Sequence, residues 1–138
     1  MTTIAEIMSR DVQTIAPEDT LQKAAQQLRE LDVGSLPVTS GTRLLGMVTD
    51  RDIAVRGVAE GLNPQQACVS DVMTQQVQSC STDDDVESVM QQMGDAQLRR
   101  MPVVNSSQEL VGIVALADLA LKSGRHIDET VRDISQPS

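Results

Sequence analysis

The chain has 138 residues, is 40% hydrophobic and 22% charged, and carries no Phe, Tyr or Trp; it is expected to form one globular unit with an aliphatic core and no ring to stack a base or cage a cation. A formal net charge of −9, with no basic run to offset it, argues against nucleic acid and anionic membrane surfaces as partners. The opening "MTTIAEIMSRD" lacks signal-peptide features and no apolar run approaches spanning length, so a cytoplasmic protein without membrane insertion is expected.

The first element in chain order is the alternating segment "VQTIA" (12–16), which reads as a short strand. An acid-led amphipathic run follows, with Leu21, Ala24, Ala25 and Leu28 on one helical face. Asp19 and Gln22 have the spacing of an N-cap and its partner. Two apolar strands come next, "SLPVT" (35–39) and "LLGMVT" (44–49), joined by the turn-like "SGTR", and a second helix begins near Asp52. "LNPQQA" (62–67) is a bridging loop, with Asn63 as a cap and Pro64 at a first helical position.

From there the pattern starts again. "IMSRDVQTIAPEDTL" (7–21) aligns with "VMTQQVQSCSTDDDV" (72–86), matching Met8 to Met73, Val12 to Val77, Gln13 to Gln78 and Asp19 to Asp84. "SLPV" faces "RMPV", and after a shift of one residue Gly46, Val48, Asp52 and Ile53 face Gly112, Val114, Asp118 and Leu119. The second copy therefore reads as strand "VQSCS" (77–81), a helix with Val86, Val89, Met90 and Met93 on one face, strands "RMPVV" (100–104) and "LVGIVA" (110–115) around "NSSQE", and a helix near Asp118. The division expected is 1–62 and 63–138, each an α/β unit of strand, helix, strand, strand, helix. Asp84 and Glu87 repeat the capping pair. The triple acid 83–85 fits a helix N-terminus, where the macrodipole favours acids, better than a metal site, which needs converging ligands. Cys68 and Cys80 match no zinc spacing and are too few for a disulfide framework, so both are expected reduced. His126, in a polar tail without nearby Cys, His or paired acids, offers no metal site.

The end of the first hairpin, "GMVTDRDIAVR" (46–56), carries the chemistry. Thr49 and Asp52 have the spacing of a capping box, which needs no ligand. The same groups also suit one: a helix start offers free N–H groups to an anion, and a carboxylate accepts both hydrogen bonds of a ribose cis-diol. In "GIVALAD" (112–118) Ala115 replaces the threonine while Asp118 stays, which favours a diol role over a cap, although dipole complementarity alone would also keep the acid.

Two copies of this pattern, each with "xxPV" and a "G-apolar-apolar-Thr/Ser-x-x-Asp" ending, resemble a pair of CBS domains, the Bateman module. "DVMT" (71–74), "TDRDIAVR" (49–56) and "AEGLNP" (59–64) are similar to small stand-alone bacterial members, and the likeness covers nearly the whole chain. The resemblance implies two repeats packed through their sheets with pseudo-twofold symmetry and two clefts for adenosine-containing ligands such as AMP, ADP, ATP, NAD or S-adenosylmethionine. Carried over by motif, a primary cleft combines Thr49, Asp52, Met73, Val77, Gln78, Leu98, Arg99 and Arg100. Asp52 would take the ribose, Thr49 a phosphate or ribose edge, Val77 and Leu98 the base, and the two arginines phosphate. A weaker secondary cleft combines Met8, Val12, Gln13, Val33, Gly34, Ser35 and Asp118, without the Thr hydroxyl or the arginines. Arg51 and Arg56 join Arg99 and Arg100 as candidates to meet an approaching nucleotide, or form an ordinary solvated rim.

The function this implies is a non-enzymatic sensor that needs no cofactor, takes an adenosine nucleotide as regulatory ligand, and signals through a homodimer or a separate effector protein. The alternative is a structural dimerisation module with vestigial clefts, for which Ile53, Val55 and Val58 supply an apolar helix face. A metal-dependent phosphohydrolase at "DRD" (50–52) is a third reading, short of a nearby His, Lys or second acidic cluster.

Overall fold

The structure, a computed structural model, describes residues 2–123; His126 lies outside the described residues. It is an α/β fold with two sheets. A 3₁₀ turn at Ile4–Glu6 precedes helix α1 (Leu21–Leu31), the hairpin β1 (Ser35–Ser40) and β2 (Arg43–Thr49), and helix α2 (Asp50–Asp52), which runs on as a π-helical stretch over Ile53–Val58. A second 3₁₀ turn, Val69–Asp71, precedes the short strand β3 (Cys80–Ser81), helix α3 (Val86–Ala96), the hairpin β4 (Arg100–Val104) and β5 (Leu110–Ala115), and helix α4 (Leu116–Ser123).

The helices follow the apolar periodicity closely. α1 buries Leu21, Ala24 and Leu28, and α3 buries Val86, Val89, Met90 and Met93; Ala25, expected inward, is exposed. The caps sit one residue later than the acid spacing suggested. Thr20, extended at φ −75° and ψ 158°, accepts from the Lys23 N–H, and Asp85 accepts from the Ser88 N–H. Asp19 and Asp84 close the preceding turn instead, accepting from the Ala16 N–H at 3.0 Å and the Ser81 N–H at 2.9 Å. A cap must be the last extended residue before the helix, so turn geometry, not residue preference, chose Thr20 over Asp19 and Asp85 over Asp84. Both helices end on a left-handed residue that is not glycine, Asp32 and Gln97. Asn63 accepts from the Gln65 N–H at 3.0 Å and forms a turn.

The early strands are shorter than the alternation implied. In "VQTIA" only Ile15 pairs, parallel to Val38, and in "VQSCS" only Cys80 and Ser81 pair, parallel to Val103 and Val104. Pro17, without an N–H, stops the first from extending. β1 and β2 are antiparallel, as are β4 and β5, and each hairpin carries a register shift, at the Val38–Thr39 step in the first and at the matching Val103–Val104 step in the second.

The chain forms two compact units, one of Gln13–Val77 and one of the residues up to Val12 together with those from Gln78 onward. This division differs from a cut into consecutive repeats, because each 3₁₀ turn docks on the repeat it does not directly precede in the alignment. Val69 N–H donates to Asp19 O (2.8 Å), Ser70 N–H to Pro17 O (2.9 Å) and Leu21 N–H to Ala67 O (3.0 Å). The same bonds recur in the other unit, from Ile4 to Asp84 (2.9 Å), Ala5 to Thr82 (3.0 Å) and Val86 to Thr2 (3.1 Å). Just beyond each turn the backbone pairs with a hairpin, Thr74 with Met47 and Ser9 with Ile113. These approaches need glycine: a Cβ on Gly46 would collide with the Thr74 carbonyl oxygen, and one on Gly112 would meet Met8 Sδ at 2.6 Å and Ser9 O at 2.9 Å.

Each unit has its own core. Ile15, Leu21, Ala24, Leu28, Leu36, Val38, Val48, Val69, Val72 and Met73 fill one. The other relies on methionine, with Met8, Met90, Met93 and Met101 beside Ile4, Val86, Leu116 and Leu119. Unbranched thioethers fill the irregular space that rings would otherwise occupy.

Candidate functional site

In the unit Gln13–Val77 the hairpin register sets Ser35 opposite Thr49, and the Asp50 N–H donates to Gly34 O at 2.9 Å. The chain leaves β2 extended at Thr49 and turns into α2 there. Thr49 Oγ1 accepts from the Asp52 N–H at 2.9 Å, and Asp52 Oδ2 accepts from the Thr49 N–H at 3.1 Å. This is the capping box the spacing predicted; the helix it caps begins at Asp50, two residues before the start expected near Asp52.

Asp52 is the one buried acid among the described residues, only 9% exposed. A carboxylate drawn this far from water needs partners. It has them: Thr74 Oγ1 donates to Oδ2 at 3.5 Å, and Arg56 Nε lies 3.9 Å from Oδ1. Arg56 Nη1 also reaches the carbonyls of Val72 (3.4 Å) and Met73 (3.5 Å). The arginine is thus a partner of the acid as well as part of the surface. Sequence reasoning missed Thr74, although its place directly after Met73 in "DVMT" was the available signal.

The helix beyond Asp52 is wider than a normal α-helix. Ala59 N–H donates to Ala54 O and Leu62 N–H to Gly57 O, both five residues back. Gly57 is buried in that stretch, where a Cβ would meet Leu21 Cδ1 at 2.9 Å.

The other unit repeats the backbone with different side chains. Arg100 stands opposite Ala115, and the Leu116 N–H donates to Arg99 O at 2.7 Å, as Asp50 does to Gly34. No hydroxyl is present at Ala115, and Asp118, in the first turn of α4, is exposed where Asp52 is buried. Arg99 is exposed; Arg100 is half-buried, and that burial pushes its guanidinium down from the ordinary arginine range. Met8 is buried next to Gly112. Leu98 packs partly on the core, and Gln78 accepts from Gln92 at 3.0 Å. An open groove of about 440 Å³ along α3 is lined by Gln78, Ser88, Gln91, Gln92, Asp95 and Ala96, three amides, a hydroxyl and a carboxylate with no cation among them.

The structure therefore gathers Gly34, Ser35, Thr49, Asp52 and Met73 in one unit, which also contains Gln13, Val33 and Val77, and gathers Met8, Arg99, Arg100 and Asp118 with Val12, Gln78 and Leu98 in the other. Each of the two residue sets expected from sequence draws on both units. Among the described residues no three His, Cys, Asp or Glu side chains converge as a metal site, and no helix is long and apolar enough to cross a membrane.

The family profile described as CBS domain matches residues 4–57 and again 69–123. Hypoxic response protein 1 of Mycobacterium tuberculosis is 38% identical over 130 residues, 94% of this chain and 87% of that protein. A crystal structure of Hypoxic Response Protein I with two coordinated zinc ions superposes with a TM-score of 0.79 at 37% identity, covering 88% of this chain and 99% of the other. The CBS domain pair of protein MJ0100, crystallised with 5′-methylthioadenosine and S-adenosyl-L-methionine, gives 0.76 at 26% identity, over 89% of this chain and all of the other (100%). With two matches that span most of its length and share the repeat seen in sequence and structure, the chain belongs to the CBS-domain family as a tandem pair.

Proposed function

We propose that this CBS pair is a non-enzymatic regulatory module that binds an adenosine-containing ligand, with the ribose diol held by Asp52 at the start of α2. The observation that carries the reading is the buried carboxylate itself, fixed by a capping box and by Thr74 and Arg56. A diol would donate hydrogen bonds to the carboxylate oxygens that Thr74 and Arg56 now approach, and so compete with both. Thr74 is also the residue paired with Met47, so occupancy of Asp52 would alter how that segment is held. Such competition is what a sensor needs, since a ligand shifts an equilibrium only by its differential affinity for two states. The relative crystallised with two adenosyl compounds supports the ligand class. The ligand acts as regulator, no cofactor is required, and the output passes through a homodimer or a separate effector.

Calorimetric titration with AMP, ADP, ATP, NAD and S-adenosylmethionine tests this directly. Asp52→Asn keeps a cap acceptor but loses the charge, and should weaken the affected binding event about ten- to a hundredfold, the worth of a charge-assisted hydrogen bond of ~1.5–3 kcal/mol. Failure of every adenosine ligand would refute the sensor. The reading it would favour is a dimerisation module, because Val55 and Val58 on the π-helical stretch and Leu121 on α4 are 47%, 64% and 76% exposed.

A further inference from the structure

Arg56 stands between the buried acid and the end of the Val69–Asp71 turn. Its Nε lies 3.9 Å from Asp52 Oδ1, and its Nη1 reaches the carbonyls of Val72 at 3.4 Å and Met73 at 3.5 Å. Those two residues close the turn, their N–H groups donating back to Val69 O at 3.1 and 2.9 Å. Carbonyls at the end of a helical turn lack partners within it, and an arginine supplies donors for them. One guanidinium therefore ties the Asp52 carboxylate to the segment that continues into Thr74 and its pairing with Met47.

The helix is shaped to hold Arg56 there. An α-helix advances about 100° per residue; a stretch bonded five residues back advances less, so by Arg56 the chain lags the α position by most of one residue. In a regular α-helix Arg56 would swing toward the place held by the buried Gly57. A Cβ there already meets Leu21 Cδ1 at 2.9 Å and Val72 Cγ1 at 3.8 Å, which leaves no room for a guanidinium on its stem. The π-helical stretch Ile53–Val58 thus sets the residue without a side chain against the core and keeps the Arg56 side chain, 57% exposed, on the rim beside Asp52. The corresponding helix of the other unit, α4, is α-helical over Leu116–Ser123, with Lys122 in the place of Arg56 and an exposed Asp118. An ammonium is a single point charge and lacks the planar fork that spans a carboxylate and two carbonyls.

We propose that Arg56 is an internal competitor for the ligand at Asp52: a ribose diol binds the carboxylate only by displacing the guanidinium, and the displacement releases the Val72 and Met73 carbonyls. This rests on the adenosine-binding reading and adds to it the group that the ligand must displace and the segment that registers the exchange. That segment runs on to Val77, where the chain passes into the other unit. An exposed ion pair and two long hydrogen bonds are weak contacts, so removing the competitor corresponds to about three- to tenfold in affinity.

Titration of the full chain with adenosine, which carries no charge, tests this, with Asp52→Asn marking the binding event concerned. For that event Arg56→Met, which keeps an aliphatic stem and removes the guanidinium, should raise adenosine affinity about three- to tenfold while lowering the urea midpoint. A residue that merely props up the fold would lower both. Salt gives a second readout. Screening weakens the tie that adenosine must break, so wild-type affinity should rise from low to molar salt, and that of Arg56→Met should stay flat. Arg56→Lys should restore the salt response and part of the lost stability. Weaker AMP binding with unchanged adenosine affinity in Arg56→Met would make Arg56 a phosphate contact and overturn the competition, and so would weaker binding of both compounds. Absence of binding by either compound, in wild type and Arg56→Met alike, would overturn the adenosine reading itself, and the competition with it.

Discussion

Replacing Gly46 by alanine tests the docking of the Val69–Asp71 turn most sharply. The added Cβ collides with the Thr74 carbonyl oxygen and lies 3.1 Å from Gln75 Cα. Both are backbone atoms, which cannot rotate aside as a side chain can. The segment after the turn must retreat, and the two bonds between Met47 and Thr74, 2.9 and 2.8 Å, are lost together. At ~0.5–1.5 kcal/mol each this removes about 1–3 kcal/mol, and loosening of the buried Met73 adds to it. Reduced freedom of the unfolded chain returns ~0.4–1 kcal/mol. The expected net destabilisation is about 2 kcal/mol, a large share of the ~5–15 kcal/mol that holds an ordinary domain. With no aromatic residue to report by fluorescence, urea unfolding would be followed by far-ultraviolet circular dichroism. At a typical slope of ~1–3 kcal/mol per molar urea, the midpoint should fall by roughly 1 M. Gly112→Ala should cost less, because its nearest contact is the flexible Met8 thioether and its backbone contact, Ser9 O at 2.9 Å, is looser than the clash of Gly46 with the Thr74 carbonyl. A Gly46→Ala midpoint equal to wild type, or a smaller shift than that of Gly112→Ala, would refute the reasoning.

Two further predictions follow from the same architecture. Ile4→Ala, although near the start of the chain, should destabilise by ~2–4 kcal/mol in the same urea assay, because Ile4 is 0% exposed and closes the methionine-rich core; a change under ~0.5 kcal/mol would mean that the turn is not docked. Burial, with a smaller contribution from Asp84, pushes the Cys80 thiol up from 9.0 to about 12. The folded state therefore keeps a proton that the unfolded state loses, and this contribution to stability is complete below pH 9.0 and disappears as pH rises to about 12. Urea midpoints measured across that window should fall more steeply for the wild type than for Cys80→Ala, and parallel curves would count against the burial argument.

The sequence by itself determined what depends on local periodicity and on self-comparison. The faces of α1 and α3 were legible because apolar side chains recur with the helical period, and the Thr49–Asp52 capping box because its spacing is set within one helical turn. The repeat was legible because both copies solve the same packing problem, down to Gly46 and Gly112. Tertiary structure alone decided which residue capped each helix, since Asp19 and Thr20, and likewise Asp84 and Asp85, can each accept as a cap and only the turn selects between them. It also decided that Ile4–Glu6 and Val69–Asp71 each dock on the other repeat's helix start, because those bonds join segments far apart in the chain and leave no periodic trace. The same holds for Asp52. Its acid was visible in sequence, but its burial, and its hold on Thr74 across the pairing with Met47, exist only where the backbone brings distant segments within bonding reach.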